Sequence, residues 1–188
     1  MKNLTTCLCA AALALASFAA NATTFDFSYS FDKNNTGDGN AVVLTGSFTG
    51  TQVGDLITDI SGVQMALNGI AFSGPLLVES MNSATGNWDA SLAPVISTDV
   101  TQSNFIFADA DVANNPGGVS NYFYMVGGQA FAVTLNTTDV NSNPLSGFET
   151  ANSASWTVTA AVPEPSTYAL MLAGLASIGL LVQRRRSV

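Results

Sequence analysis

Asp32, Asn34 and Asp38 stand in the stretch Asp32-Lys-Asn-Asn-Thr-Gly-Asp-Gly-Asn40, where closely spaced carboxylate and amide oxygens around glycine suit a hard cation such as calcium. The stretch falls short of a full calcium loop. Counting Asp32 as position one, position twelve is Val43, where a bidentate Glu would complete the shell. Ordinary turn chemistry accounts for the same residues as a polar connection between two strands. Asp109, Asp111 and Asn114, ahead of Pro116-Gly117-Gly118, form a second oxygen-rich patch with the same two readings. The expected cofactor is therefore none, with calcium at Asp32, Asn34 and Asp38 as the one candidate.

Catalytic chemistry finds little else to use. Between Thr23 and Val162 stand twelve carboxylates and a single cation, Lys33, a net charge of −11. A glycosidase needs two carboxylates flanking one bond, and the spread of these acids along the chain singles out no pair. The chain has no histidine, which removes the commonest general base and transition-metal ligand. No Gly-x-Ser-x-Gly elbow exists to present a serine nucleophile. The chain reads as no enzyme, with no catalytic residue to name. A surface of this charge repels phosphate backbones, so nucleic acid is excluded as a partner. Trp88, between Asn87 and Asp89 and after Gly86, is the candidate ligand contact, since an exposed indole in a loop can stack on a sugar. Trp156 lies in an expected strand and is read as core.

The elements that must hold these residues are strands. Residues 24–32 alternate strictly, with Phe25, Phe27, Tyr29 and Phe31 on one face and Asp26, Ser28, Ser30 and Asp32 on the other, the pattern of a half-buried strand. Short runs rich in Val, Ile, Phe, Tyr and Thr follow at 42–49, 56–60, 63–67, 76–79, 95–98, 105–108, 122–126, 131–135 and 155–159, separated by Gly, Asn, Asp, Pro or Ser. Residues 142–155, with Pro144 and Gly147, read as a long loop. The fold expected is all-β, an antiparallel β-sandwich with the jelly roll as one form, over residues 23–160. That length suits one domain with a real core.

The two ends read differently. Lys2, an apolar run from Leu4 to Phe18 and the small-x-small triplet Ala20-Asn21-Ala22 match a secretory signal over residues 1–22, cleaved by signal peptidase after Ala22. Both cysteines, Cys7 and Cys9, would leave with it, so the exported chain would hold no disulfide. At the other end Pro163-Glu164-Pro165-Ser166 is followed by an uncharged stretch from Pro165 to Gln183 and then by Arg184-Arg185-Arg186. That stretch of 19 residues is about 28 Å long as a helix, enough to span a bilayer. The arginines would act as a cytoplasmic stop. A single transmembrane helix over 166–183 is expected.

Val-Pro-Glu-Pro-Ser-Thr-Tyr-Ala-Leu-Met-Leu-Ala-Gly-Leu, followed by Arg-Arg-Arg, resembles the PEP-CTERM sorting signal, here over 161–188. The resemblance implies recognition of Pro163, Glu164, Pro165 and Ser166 by an exosortase, a membrane-embedded transpeptidase-like enzyme of Gram-negative bacteria. It also implies a transient inner-membrane intermediate with a cytoplasmic C-terminus, then cell surface or extracellular matrix, and an association with exopolysaccharide and biofilm. Two functions follow as expectations: a non-enzymatic surface or matrix protein, or a carbohydrate-binding module on the same sorted scaffold.

Overall fold

The computed structural model describes residues 22–32, 39–110, 114, 121–161, 171–175, 178 and 183. In chain order the strands are β1 (Thr23–Ser30), β2 (Val43–Val53), β3 (Leu56–Leu67), β4 (Ile70–Ala71), β5 (Leu77–Asn82), β6 (Asn87–Asp89) and β7 (Ile96–Ser97). A turn of 3-10 helix at Val100–Gln102 leads into β8 (Asn104–Ala108), β9 (Asn121–Val126), β10 (Gln129–Thr138), β11 (Pro144–Thr150) and β12 (Trp156–Ala160). They form two antiparallel sheets. One, called here the front sheet, runs β12-β1-β2-β3-β4 with β7 paired to β3; the other, the back sheet, runs β11-β10-β9-β8-β5-β6.

The alternation read in β1 is what joins the sheets. Phe25, Phe27, Tyr29 and Phe31 are all buried, and burial of each such ring contributes roughly 1.5–3 kcal/mol relative to exposure. From the front sheet they meet Leu44, Phe48, Ile57, Met65 and Leu67; from the back sheet, Phe105, Phe107, Phe123, Met125 and Leu145. Trp156 closes the core, its ring nitrogen donating to the Ser97 carbonyl at 2.8 Å, so the strand reading of this tryptophan holds.

Consecutive strands stay together as meanders, β1 to β4 in the front sheet and β8 to β11 in the back, rather than alternating between sheets as in a jelly roll. The runs expected at 56–60 and 63–67 are one strand, β3, whose pairing with β2 shifts register twice near Thr49. Asp59 and Gly62 take positive φ there, 53° and 62°, as bulges that bend a strand without ending it.

The loop expected over 142–155 is corrected by β11. Pro144 is its first residue and β11 is the edge of the back sheet, the one setting where a missing N–H costs no ladder bond. Gly147 is required by packing: a Cβ there would overlap the ring of Phe31.

The membrane helix expected over 166–183 falls mostly outside the described residues. Those described, 171–175, 178 and 183, are helical, and Met171, Leu172, Leu175 and Ile178 are exposed. Among the described residues no helix is long and apolar enough to cross a membrane.

Gly147→Ala should lower the unfolding free energy by about 1–3 kcal/mol, the usual cost of overpacking a filled core, read from urea unfolding of the protein. Combined with Phe31→Ala, which vacates the same space, the two losses should add to less than their sum.

Candidate functional site

The expected site residues scatter. Asp32 is exposed at the end of β1, and its backbone N–H donates to Glu149 Oε2 at 2.6 Å. Asn34 and Asp38, the other candidate calcium ligands, lie outside the described residues, as does Asp111. Asp109 is engaged by a protein donor: Asn121 Nδ2 reaches its Oδ2 at 2.6 Å, and the Asn121 N–H its Oδ1 at 3.3 Å. Asn121 in turn accepts from the buried Thr134 hydroxyl at 2.6 Å. Asp109 thus pins the entry to β9. Among the described residues no three His, Cys, Asp or Glu side chains gather to hold a metal.

Three further acids hold turns. Asp89 accepts from the Ser91 hydroxyl at 2.6 Å and the Ser91 N–H at 2.9 Å. Asp99 caps the 3-10 turn, accepting from Gln102 Nε2 at 3.0 Å and from the Thr101 hydroxyl and N–H. Asp139 accepts the N–H groups of Asn143 and Asn141 at 2.9 and 2.8 Å. These bonds hold all three carboxyls below their ordinary value of 3.8, led by the Ser91 hydroxyl, the Gln102 amide and the Asn143 N–H respectively.

Glu149 bridges the sheets. Its Oε1 accepts from the Tyr29 hydroxyl at 2.8 Å, and that hydroxyl accepts the Asn152 N–H at 3.1 Å. Burial first, and then Glu149, pushes the Tyr29 phenol far above its usual range. A neutral phenol donating to a carboxylate is a tie rather than an acid or base ready to act.

A cleft of about 360 Å³ opens at one end of the sandwich, lined by Asn40, Asn68, Ile70, Thr138, Asp139 and Leu145. Two of its polar side chains are already committed to backbone: Asn68 Oδ1 accepts from the Val43 N–H at 2.7 Å, and Asp139 holds its own turn.

The outer faces of the two sheets differ far more. On the front sheet the register lines up Thr24 with Thr49, Asp26 with Ser47 and Thr159, and Ser28 with Thr45 and Thr157. That is the polar outer face an antiparallel sheet ordinarily shows to water. On the back sheet the same reasoning gives a row in which Phe148 opposes Phe131, Phe131 opposes Tyr124, and Tyr124 opposes Ile106.

Trp88, expected in a loop, sits in β6 opposite Met81. It is half-buried, packed with Tyr122 and Tyr124 over Ile106 and Ala108. Trp88 and Tyr124 have ring centroids 5.6 Å apart, Tyr124 and Phe131 5.7 Å, and Phe131 and Phe148 5.7 Å. The Gly127-Gly128 turn, with φ of 58° and 74°, is the tight hairpin that brings β9 and β10 into this register. Tyr122, Tyr124 and Phe131 were read from sequence only as strand residues, and Phe148 as part of the loop over 142–155. The available signal was Tyr122-Phe123-Tyr124: a strand with rings on both faces must turn some of them outward.

At the chain ends, Ala22 is exposed just before β1 and Ala20 lies outside the described residues. The front sheet finishes with the Ala161 N–H donating to the Thr24 carbonyl at 2.8 Å. Pro163, Glu164, Pro165, Ser166 and Arg184 to Arg186 lie outside the described residues. Pro163 and Pro165 have no N–H to donate.

The turn carboxylates set a pH dependence. Their folded values lie below the unfolded ones, so their stabilisation is present above the ordinary carboxylate range of about 3.9 and lost as pH falls through the folded values. The thermal midpoint of the exported protein, followed by circular dichroism, should fall as pH is lowered from neutral to below about 3. The triple variant Asp89→Asn, Asp99→Asn, Asp139→Asn should show a shallower fall.

No characterised protein and no solved structure matches the chain. One family model does, and it begins at the residue making that last ladder bond: residues 161–186 match the PEP-CTERM protein-sorting motif, so the β-sandwich runs directly into a sorting signal.

Proposed function

We propose that this is an exported, non-enzymatic protein of the cell surface or extracellular matrix, sorted by an exosortase and associated with exopolysaccharide or biofilm. The observation that carries the reading is the PEP-CTERM motif at residues 161–186. It implies export, a membrane-anchored intermediate and an exosortase as processing enzyme. In this reading a signal peptidase removes residues 1–22, Arg184 to Arg186 hold the tail on the cytoplasmic side, and the tail is cut near Pro163 to Pro165. Support for a non-enzymatic role comes from the acids: Asp89, Asp99, Asp109 and Asp139 are engaged in structural hydrogen bonds.

The second reading, a carbohydrate-binding module on the same scaffold, is favoured by the ring row on the outer face of the back sheet. It is compatible with sorting and concerns what the domain does once outside.

Intact mass and C-terminal peptide mapping of the protein recovered from the outside of its native cells test the sorting. The native chain should start at Thr23 and lack everything beyond the Pro163-Glu164-Pro165 region. A variant with Pro163, Glu164 and Pro165 all changed to Ala should keep Arg184 to Val188. A native mass that still includes those residues would overturn the reading and leave a plain anchored domain.

A further inference from the structure

We infer that the outer face of the back sheet is a binding platform for an uncharged polysaccharide chain, seated along the ring row from Trp88 through Tyr124 and Phe131 to Phe148. This rests on the carbohydrate-binding reading and gives it a place and a ligand class.

The first observation is contrast between two faces of one domain. The front sheet turns Thr24, Asp26, Ser28, Thr45 and Ser47 to the outside, which is all that solubility asks of a solvent-facing sheet. The back sheet spends its outer positions on aromatics, and Phe148 is 54% exposed. Trp88, Tyr122, Tyr124 and Phe131 beside it are half-buried, and a run of apolar surface left open to solvent marks an interaction site.

Spacing and chemistry narrow the occupant. Trp88 leans over from β6, three strands from β9, to within 5.6 Å of Tyr124, and Phe131 on β10 stands 5.7 Å from both Tyr124 and Phe148 on its two neighbours, a step set by the roughly 4.8 Å separation of neighbouring strands. That step is close to the length of one sugar ring in an extended glycan, so successive residues of a chain can meet successive rings. Apolar C–H faces of sugars stack on aromatic rings, and their hydroxyls need donors and acceptors at the edge. Here the edge supplies them: Gln129 pairs with Thr150, and Ser146 with Val133 beside Tyr122. The Tyr122 and Tyr124 phenols, pushed up by burial, stay protonated and able to donate at any physiological pH.

Charge excludes the competitors. Among the described residues, the only carboxylate that the register places on this face is Glu79, opposite Ile106, and it is buried. Among the described residues the face therefore exposes no carboxylate, within a domain of net charge −11. That charge opposes a second copy of the chain, an anionic polymer or an anionic membrane, and leaves a neutral glycan unopposed.

Affinity electrophoresis of the exported protein through gels containing a β-1,3/1,4-glucan, dextran or galactomannan, with alginate as anionic comparison, tests this. At least one neutral glycan should retard the protein and alginate should not. Tyr124→Ala and Phe131→Ala should each weaken retardation by about tenfold, the scale of losing one stacking contact. Tyr124→Phe, which keeps the ring, should stay within about threefold of the parent, as should Thr45→Ala on the front sheet, both well short of the loss of one stacking contact. Each variant is compared only if its circular dichroism melt matches the parent, and Phe148→Ser, at the exposed end of the row, is the substitution least able to disturb folding.

Absence of retardation by all three neutral glycans overturns the proposal. So does retardation unchanged by the ring variants, or ring-dependent dimerisation in sedimentation or ring-dependent binding to phosphatidylcholine vesicles in place of glycan binding. The sorting reading fails separately: ring variants trimmed normally but blind to glycan leave it standing, and an untrimmed protein that binds glycan leaves the platform standing.

Discussion

Everything in this fold hangs on the packing of one strand's aromatic face against the opposite sheet. Phe27 touches rings from both layers, with centroids 5.8 Å from Phe48, 5.8 Å from Phe107 and 5.8 Å from Trp156. Rings that large fit between sheets only where the facing backbone is bare. Gly46, opposite Phe27 in the ladder, would drive a Cβ into that ring and into the Gln64 carbonyl, and Gly147 would do the same to Phe31. Gly147 sets how closely the edge of the back sheet approaches the front sheet, while Gly46 lets the Phe27 ring lie across its own sheet. Tyr29 then ties the approach with a hydrogen bond to Glu149, which sits one residue beyond Phe148 on β11. The inner packing and the outer row are thus two faces of the same edge strand.

How much of this was legible follows from the range over which each signal acts. The alternation of Phe25 to Phe31 is local, and it gave both the strand and its buried face. β11 was hidden because Pro144 and Gly147 are breakers by local rule, and what makes them acceptable is an edge position and a ring from residue 31. Trp88 was read as a loop residue from its neighbours Gly86 and Asn87, while its strand pairing depends on Met81 across a hairpin. The row itself was out of reach. Placing Phe148 beside Phe131 and Phe131 beside Tyr124 requires the register of three strands, and a slip of one residue would send each of these rings inward.

The carboxylates show the same distinction between composition and placement. Twelve acids in one domain invite thoughts of catalysis or calcium, yet the distances put Asp89, Asp99 and Asp139 at the heads of separate turns, where each collects hydrogen bonds from residues two to four positions on. With almost no lysine or arginine available, this domain has side-chain carboxylates and amides do much of its local capping. Much of the negative charge is thereby carried at turns and on the front sheet, and among the described residues the ring-bearing face exposes no carboxylate.

The join between domain and tail gives the charge arrangement a direction. β12 lies beside β1, and the Ala161 N–H closes the ladder on Thr24, so the chain enters and leaves the sandwich at the same end of the front sheet. Core residues stop before that bond: Trp156 is buried and Val158 packs against the core, but Ala160 is exposed. Among the described residues, none beyond Ala161 belongs to the core. While the domain is tethered, its front-sheet end lies within a few residues of the tail, and the outer face of the back sheet belongs to the other layer of the sandwich. A platform on that layer can engage a polymer without competing with the enzyme that must reach the Pro163 to Pro165 segment, so sorting and binding need not exclude one another.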